Sequence, residues 1–157
     1  QTRNRIETMA LTHEEVYNSN DLSNINLNTF ITRAMDNLFS LYAPENIEIN
    51  LNIENVMLDM DKCIPLSLLI NEFALNTIKY AFPNTVDNKF FIDLSSNNEI
   101  ITIKMWDNGI GLPENVNIFS SESLGFTIIR NLSRQLEAEL NVLSDVEGFG
   151  LEITFQK

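Results

Sequence analysis

The sequence predicts an α/β two-layer sandwich, a mixed β-sheet covered by helices on one face. Two patterns carry that prediction. Segments with apolar residues at helical spacing are interleaved with segments that alternate apolar and polar residues, and the last strands are joined by short turns. A third observation sets the scale: 157 residues with 44% hydrophobic content suit one globular domain with its own core.

Taken in order, residues 1–16 (QTRNRIETMALTHEEV) place Ile6, Met9, Ala10 and Val16 at helical spacing. No capping residue precedes them, so the chain reads as a fragment whose first helix begins further upstream. The polar NSNDLSN that follows is a linker. LNTFITRAMDNLFSLYA (27–43) repeats apolar residues at Phe30, Ile31, Ala34, Leu38 and Leu41 until Pro44, a second helix. IEINLNI (47–53) and, more briefly, VMLDM (56–60) alternate as strands do. Asp61 is a suitable cap and Pro65 fits a first turn, which predicts a long helix from about Lys62 to Phe82. FPNTVDN is a turn. KFFIDLS (89–95) and IITIKMWD (100–107) are strands around SSNNE, a hairpin. NGIGLPENVNIFSSES is a loop. SLGFTIIRNLSRQLE (123–137) is a helix with Ile128, Ile129, Leu132 and Leu136 on one face, and AELNVLS and FGLEITF close the chain as strands.

Composition narrows the function. Ten Lys and Arg against 22 Asp and Glu give a net charge of −12, so no basic face is available for nucleic acid. An anionic ligand must be held by local devices: a helix N-terminus, a metal ion or one placed lysine. Cys63 is the single cysteine, which rules out an internal disulfide and points to a reducing, cytoplasmic setting. Its run KCIPLSLLI predicts a buried thiol. No stretch of 18 apolar residues and no basic-then-apolar leader occurs, so neither a membrane span nor a signal peptide is expected in this piece; a larger parent protein is free to be anchored elsewhere.

Three constellations carry chemistry. In NEFALNTIKYAF (71–82), Glu72, Asn76 and Lys79 fall at i, i+4 and i+7, one polar stripe on a helix otherwise fit for burial. Buried polar groups need partners. Either Glu72 and Lys79 pair with each other while Asn76 bonds to backbone, or a ligand satisfies all three. An amide oxygen suits Mg²⁺, a carboxylate one turn away can orient or deprotonate a nucleophile, and an ammonium can hold phosphate. In DNGIG (107–111), Asp107 ends a strand and is followed by Gly109 and Gly111, so a carboxylate acceptor sits beside backbone that a flat amino-bearing ligand can approach. An ordinary Asp-Asn-Gly turn reads the same way. In SSESLGFTII (120–129), Ser123 can cap a helix whose first turn is left unshielded by Gly125, where free N–H groups would accept phosphate; every helix needs a start, however.

The order of these motifs is informative. E-x-x-x-N on a helix, D-x-G-x-G after a strand, a glycine at a helix start and a closing hairpin with EGFGLEITF together resemble the GHKL ATPases, over essentially the whole chain. Within that group the chain resembles the sensor histidine kinases: NEFALNTIKYAFP is similar to their N box and DNGIGLP to their first glycine box. The short lid between Pro113 and Ser123 and the upstream RNRIETMALTHEEVYNSNDL resemble the subgroup whose phosphoacceptor lies in a His-His-Arg box.

The resemblance implies a mostly antiparallel mixed sheet, a remnant of the second dimerisation and phosphotransfer helix with its linker at 1–22, and an ATP-binding catalytic domain at 23–157. It implies that Asn76 coordinates Mg²⁺, that Glu72 sits by the γ-phosphate to activate the attacking group, and that Lys79 and Tyr80 touch phosphate or ribose. Asp107 would take the adenine amino group, Gly109 and Gly111 would line the base pocket, and Gly125 would face the phosphates. The implied activity is transfer of the γ-phosphoryl of Mg-ATP to a histidine upstream of Gln1, for relay to the receiver domain of a response regulator. The upstream helices of the same protein are then a further partner, and neither nucleic acid nor membrane is contacted by this piece. His13 belongs to the His-Glu-x-x-Tyr segment after the acceptor box and is not itself the acceptor. Two departures stand out: Phe149 occupies the threonine place of the final Gly-Thr pair, and no Lys or Arg lies between Gly111 and Leu124. They keep open the reading of a degenerate nucleotide-binding domain; the other alternative is a stand-alone serine kinase and binding module of the anti-sigma-factor type, which the helical segment at the N-terminus argues against.

Overall fold

A computed structural model describes residues 24–43, 46–83 and 86–157. The expected N-terminal helix at 1–16, most of the linker after it and His13 lie outside the described residues. In chain order the elements are β1 (Ile25–Asn26), α1 (Leu27–Tyr42), β2 (Ile47–Ile53), β3 (Met57–Leu58), α2 (Met60–Asn76), β4 (Asn88–Asn97), β5 (Ile100–Asp107), α3 (Leu124–Gln135), β6 (Glu139–Val142) and β7 (Gly150–Gln156). A π-helical turn, Thr77–Ala81, extends α2.

Five strands form one sheet in the order β2-β4-β5-β7-β6. β2 runs parallel to β4, and the β4–β5, β5–β7 and β7–β6 pairs are antiparallel, so the sheet is mixed and mostly antiparallel as expected. Strand alternation puts Phe90, Ile92 and Leu94, then Ile101, Ile103 and Met105, then Leu151, Ile153 and Phe155 on one face, all buried. The three helices cover that face and join the same apolar core. The other face is polar where it meets water, with a Lys104–Glu152 ion pair at 3.4 Å and a Phe91–Trp106 stack at 4.9 Å between ring centres.

Local chemistry sets the element ends. The Asn26 side chain accepts from the Thr29 N–H at 3.2 Å and starts α1, whose inward face is Leu27, Phe30, Ile31, Met35, Leu38 and Phe39. Leu41, expected inside, is 61% exposed because Phe39 takes the inward place at the helix end. α2 begins after Asp59, whose carbonyl accepts from Lys62 and Cys63, and Asp61 lies in the first turn where a carboxylate favours the helix dipole. The strand expected at 56–60 shrinks to Met57–Leu58 and pairs with Ile25–Asn26 in a separate two-stranded sheet. The β4–β5 hairpin is tighter than expected, turning through Asn98 and Glu99 with Asn98 at φ 55°, a conformation asparagine tolerates. Among the described residues no helix is long and apolar enough to cross a membrane.

Candidate functional site

Asp107 ends β5 on the buried face, in register with Ile101, Ile103 and Met105, so alternation aims its carboxylate beneath the helices. It is 2% exposed. Oδ1 accepts from the N–H of Gly109 at 2.9 Å and of Phe149 at 3.3 Å, and Oδ2 accepts from the Thr77 hydroxyl at 3.1 Å. The Asp107 main chain is clamped too: its N–H donates to the Phe149 carbonyl and its carbonyl accepts from the Gly148 N–H. Burial pushes the carboxyl above its ordinary value, while the two N–H groups and the hydroxyl pull the other way because they donate to the charged form.

The glycines around it answer to close approach. A Cβ on Gly109 would lie 2.4 Å from the Ala81 carbonyl oxygen, the atom that accepts the Ile110 N–H at 3.0 Å. A Cβ on Gly148 would lie 2.2 Å from Asp107 Oδ1. Gly111 adopts φ +72°, a backbone conformation that side-chain-bearing residues rarely take.

Asp107 forms part of the lining of a cavity of about 510 Å³. The end of α2 supplies Asn76, Thr77 and Tyr80, the loop after β5 supplies Ile110, Gly111 and Leu112, the start of α3 supplies Gly125 and Phe126, and Phe149 closes the side nearest β7. Phe149 packs against Phe73 at 5.6 Å and Phe126 at 6.1 Å between ring centres, which fixes one apolar wall. Apolar walls around one fixed carboxylate, in a volume typical of small-molecule sites, suit a flat heteroaromatic ring bearing an amino donor.

Of the residues the sequence singles out, Asn76, Tyr80, Asp107, Gly111 and Gly125 come together on this cavity. Gly109 lies just behind it, donating to Asp107. Glu72 is 3% exposed and outside the lining, one turn below Asn76. Lys79 is exposed and also outside the lining. The π-turn explains the last placement. Tyr80, four residues beyond Asn76, stays on its face, and the i→i+5 bonding, with more residues per turn than the 3.6 of an α-helix, turns Lys79, three residues on, further off that face. Thr77 was not foreseen: helical spacing puts it beside the stripe, and only the tertiary contact with Asp107 shows its use. Ser123 caps α3 as expected, accepting from the Phe126 N–H.

The sandwich is the fold of the GHKL ATPases. Residues 61–157 match the model of the histidine kinase-, DNA gyrase B- and HSP90-like ATPase family, and the chain belongs to that family. Residues 1–42 match a second model, described as histidine kinase. The sensor histidine kinase PdtaS of Mycobacterium tuberculosis is 30% identical over 143 residues, covering 88% of this chain and 28% of its own length. The chain thus spans well under a third of that relative. Among solved structures, the histidine kinase domain of the Erythrobacter litoralis EL346 blue-light-activated histidine kinase superposes with a TM-score of 0.84 at 22% identity, over 97% of this chain and 72% of that one. The catalytic domain of histidine kinase ThkA gives 0.69 at 16% identity, over 87% of this chain and 96% of that one. Both likenesses are of fold.

Proposed function

We propose that this chain is the nucleotide-binding catalytic part of a sensor histidine kinase, which takes Mg-ATP in the cavity and passes its γ-phosphoryl to a histidine on upstream helices of the same protein, for relay to a response-regulator receiver domain. The observation that carries the reading is Asp107. Its carboxylate is buried, held by three donors and part of the wall of an otherwise mostly apolar cavity. Holding a charge out of water is costly, and a ligand donor such as the adenine amino group offsets that cost. The remaining roles follow the lining: Leu112, Phe126 and Phe149 flank the base, Tyr80 meets ribose or phosphate, and the α3 start at Gly125 faces the phosphates.

The donor set fits magnesium in one respect. Asn76 lines the cavity wall and its side chain carries an amide oxygen, and magnesium commonly takes few protein ligands, with phosphate oxygens and water completing the shell. No cluster of three or more His, Cys, Asp or Glu side chains suited to a metal occurs among the described residues, so the ion would come with the nucleotide. When bound it supplies charge neutralisation along the phosphates. Glu72, buried one turn below Asn76, is the carboxylate proposed to sit by the γ-phosphate and activate the attacking group, and Lys79 the proposed outer phosphate contact; positioning and charge account for most of such a transfer.

A calorimetric titration tests the reading. Mg-ADP and a non-hydrolysable Mg-ATP analogue should bind, with affinity falling when Mg²⁺ is removed. Asn76→Asp should change the metal dependence while keeping base recognition, and equal losses with and without Mg²⁺ would remove Asn76 from the metal. Flat heats for every nucleotide would favour the degenerate-domain reading, which the Phe149 substitution and the lid without cations motivate.

A further inference from the structure

Residues 112–122 form one wall of the cavity, contributing Leu112, Val116 and Ser121. Most of their hydrogen bonds fold the loop on itself: Val116 N–H to the Pro113 carbonyl at 2.9 Å, Phe119 N–H to the Asn117 side chain at 2.8 Å, and Ser121 N–H to the Asn117 carbonyl at 2.8 Å. Such turns shape a loop without fixing it to its domain. Two features do fix it. Ile118 is 2% exposed and packs into the main core. Arg130, one helical turn beyond Phe126 on α3, donates from Nη1 to the Ile118 carbonyl and from Nη2 to the Thr127 hydroxyl at 3.0 Å. Apart from the Ser123 N–H, which donates to the Ser121 hydroxyl at 3.2 Å where the loop runs into the α3 cap, the Arg130 bond is, among the described residues, the only hydrogen bond that ties this loop to another element.

We propose that Arg130 is a positioning residue: it latches residues 112–122 to α3 before any nucleotide arrives, so that this wall of the cavity is preformed. The proposal rests on the nucleotide reading above for its binding consequence, though not for the latch itself. The geometry calls for arginine. The Thr127 hydroxyl orients one arm of a planar fork, and the other arm then meets a carbonyl on the loop; a lysine ammonium has no such fork. The guanidinium is partly buried, where a charged donor to a carbonyl is strengthened by the lower dielectric. A wall held in place beforehand raises affinity because the ligand need not order it. No Lys or Arg lines the cavity among the described residues, so the loop has no cation with which to grip a terminal phosphate. The latch therefore benefits di- and triphosphates alike.

The test pairs amide hydrogen exchange on the unliganded protein with calorimetry, for wild type, Arg130→Ala and Arg130→Lys. In both variants exchange at 116–121 should speed up by about 10-fold, as expected for loss of one charge-assisted bond, while the amides of α3 keep their protection and report an intact fold. Affinities for Mg-ADP and for a Mg-ATP analogue should fall by the same factor, about 3- to 10-fold. Unchanged loop exchange in Arg130→Ala overturns the latch. A loss confined to the triphosphate overturns it too, since Arg130 would then be touching the terminal phosphate. Arg130→Lys behaving as wild type would show that charge, not the fork, matters, and would also refute it. If wild type binds neither nucleotide, the kinase reading fails, and the exchange data still decide the latch.

Discussion

Replacing Asp107 by asparagine separates binding from folding. The amide oxygen of an asparagine can take the place of Oδ1 and accept from the Gly109 and Phe149 N–H groups, now at 2.9 and 3.3 Å. Its NH₂ would replace Oδ2, and the Thr77 hydroxyl can turn to accept from it. The main-chain clamp to Gly148 and Phe149 does not involve the side chain. Stability should therefore hold or rise, because the cost of burying a charge disappears. Binding should not hold. In the proposed complex an amino group of the ligand would meet a donor in place of a carboxylate oxygen, and a hydrogen bond to a charged group is worth about 1.5–3 kcal/mol, or about 10- to 150-fold in Kd. Calorimetry with Mg-ADP and urea unfolding of the same samples read the two effects. Undiminished affinity would refute the role given to Asp107.

The same pair of proteins carries a pH signature. Burial raises the folded-state pKa of Asp107 above that of the unfolded chain, so between the two values the folded state holds more proton. The stability this group contributes is complete below the unfolded value and is lost as pH rises through the folded value. Wild type should thus gain stability relative to Asp107→Asn as pH is lowered from neutrality through that window. A difference with the opposite slope would contradict the burial described here.

Three further outcomes are expected. Gly109→Ala forces a Cβ to within 2.4 Å of the Ala81 carbonyl oxygen, and overpacking of that kind should lower unfolding stability by about 1–3 kcal/mol in urea; an unchanged midpoint would mean the loop shifts freely. Thr77→Val removes the donor to Oδ2 with little change in shape, and should weaken Mg-ADP and Mg-ATP analogue binding equally, by about 3- to 10-fold in calorimetry. The Cys63 thiol, pushed up to about 12 by burial, should resist a thiol reagent at neutral pH until denaturant unfolds the chain; rapid labelling of native protein would count against its burial.

Much of this fold is written in local pattern. The β4–β5 hairpin and β7 alternate because one face is buried and the other meets water, and α3 starts at a serine that caps it. Asp107, Gly109 and Gly111 could be read because a strand end, an acid and two glycines are neighbours in sequence as well as in space. Other features depend on distant contacts. The β1–β3 pair is two residues per strand, too short for a period to show. The π-turn at 77–81 has no spacing signature of its own, yet it turns Lys79 further off the cavity-facing side that Tyr80 keeps. Thr77 and Asp107 are 30 residues apart, so their bond exists only once α2 lies on β5. Phe149 stood out in sequence for a missing hydroxyl. In the structure its N–H holds Asp107, a task that any residue except proline can perform, while its ring builds the cavity wall.

The most direct test of the central claim, that a nucleotide base docks against Asp107, is an amide NMR titration of the unmodified protein with Mg-ADP. The largest shifts should fall on the Gly109 and Phe149 N–H groups that hold the carboxylate, with further changes at Gly111 and Gly125. Shifts clustered on the open sheet face around Phe91 and Trp106, with the Gly109 and Phe149 signals unmoved, would contradict it.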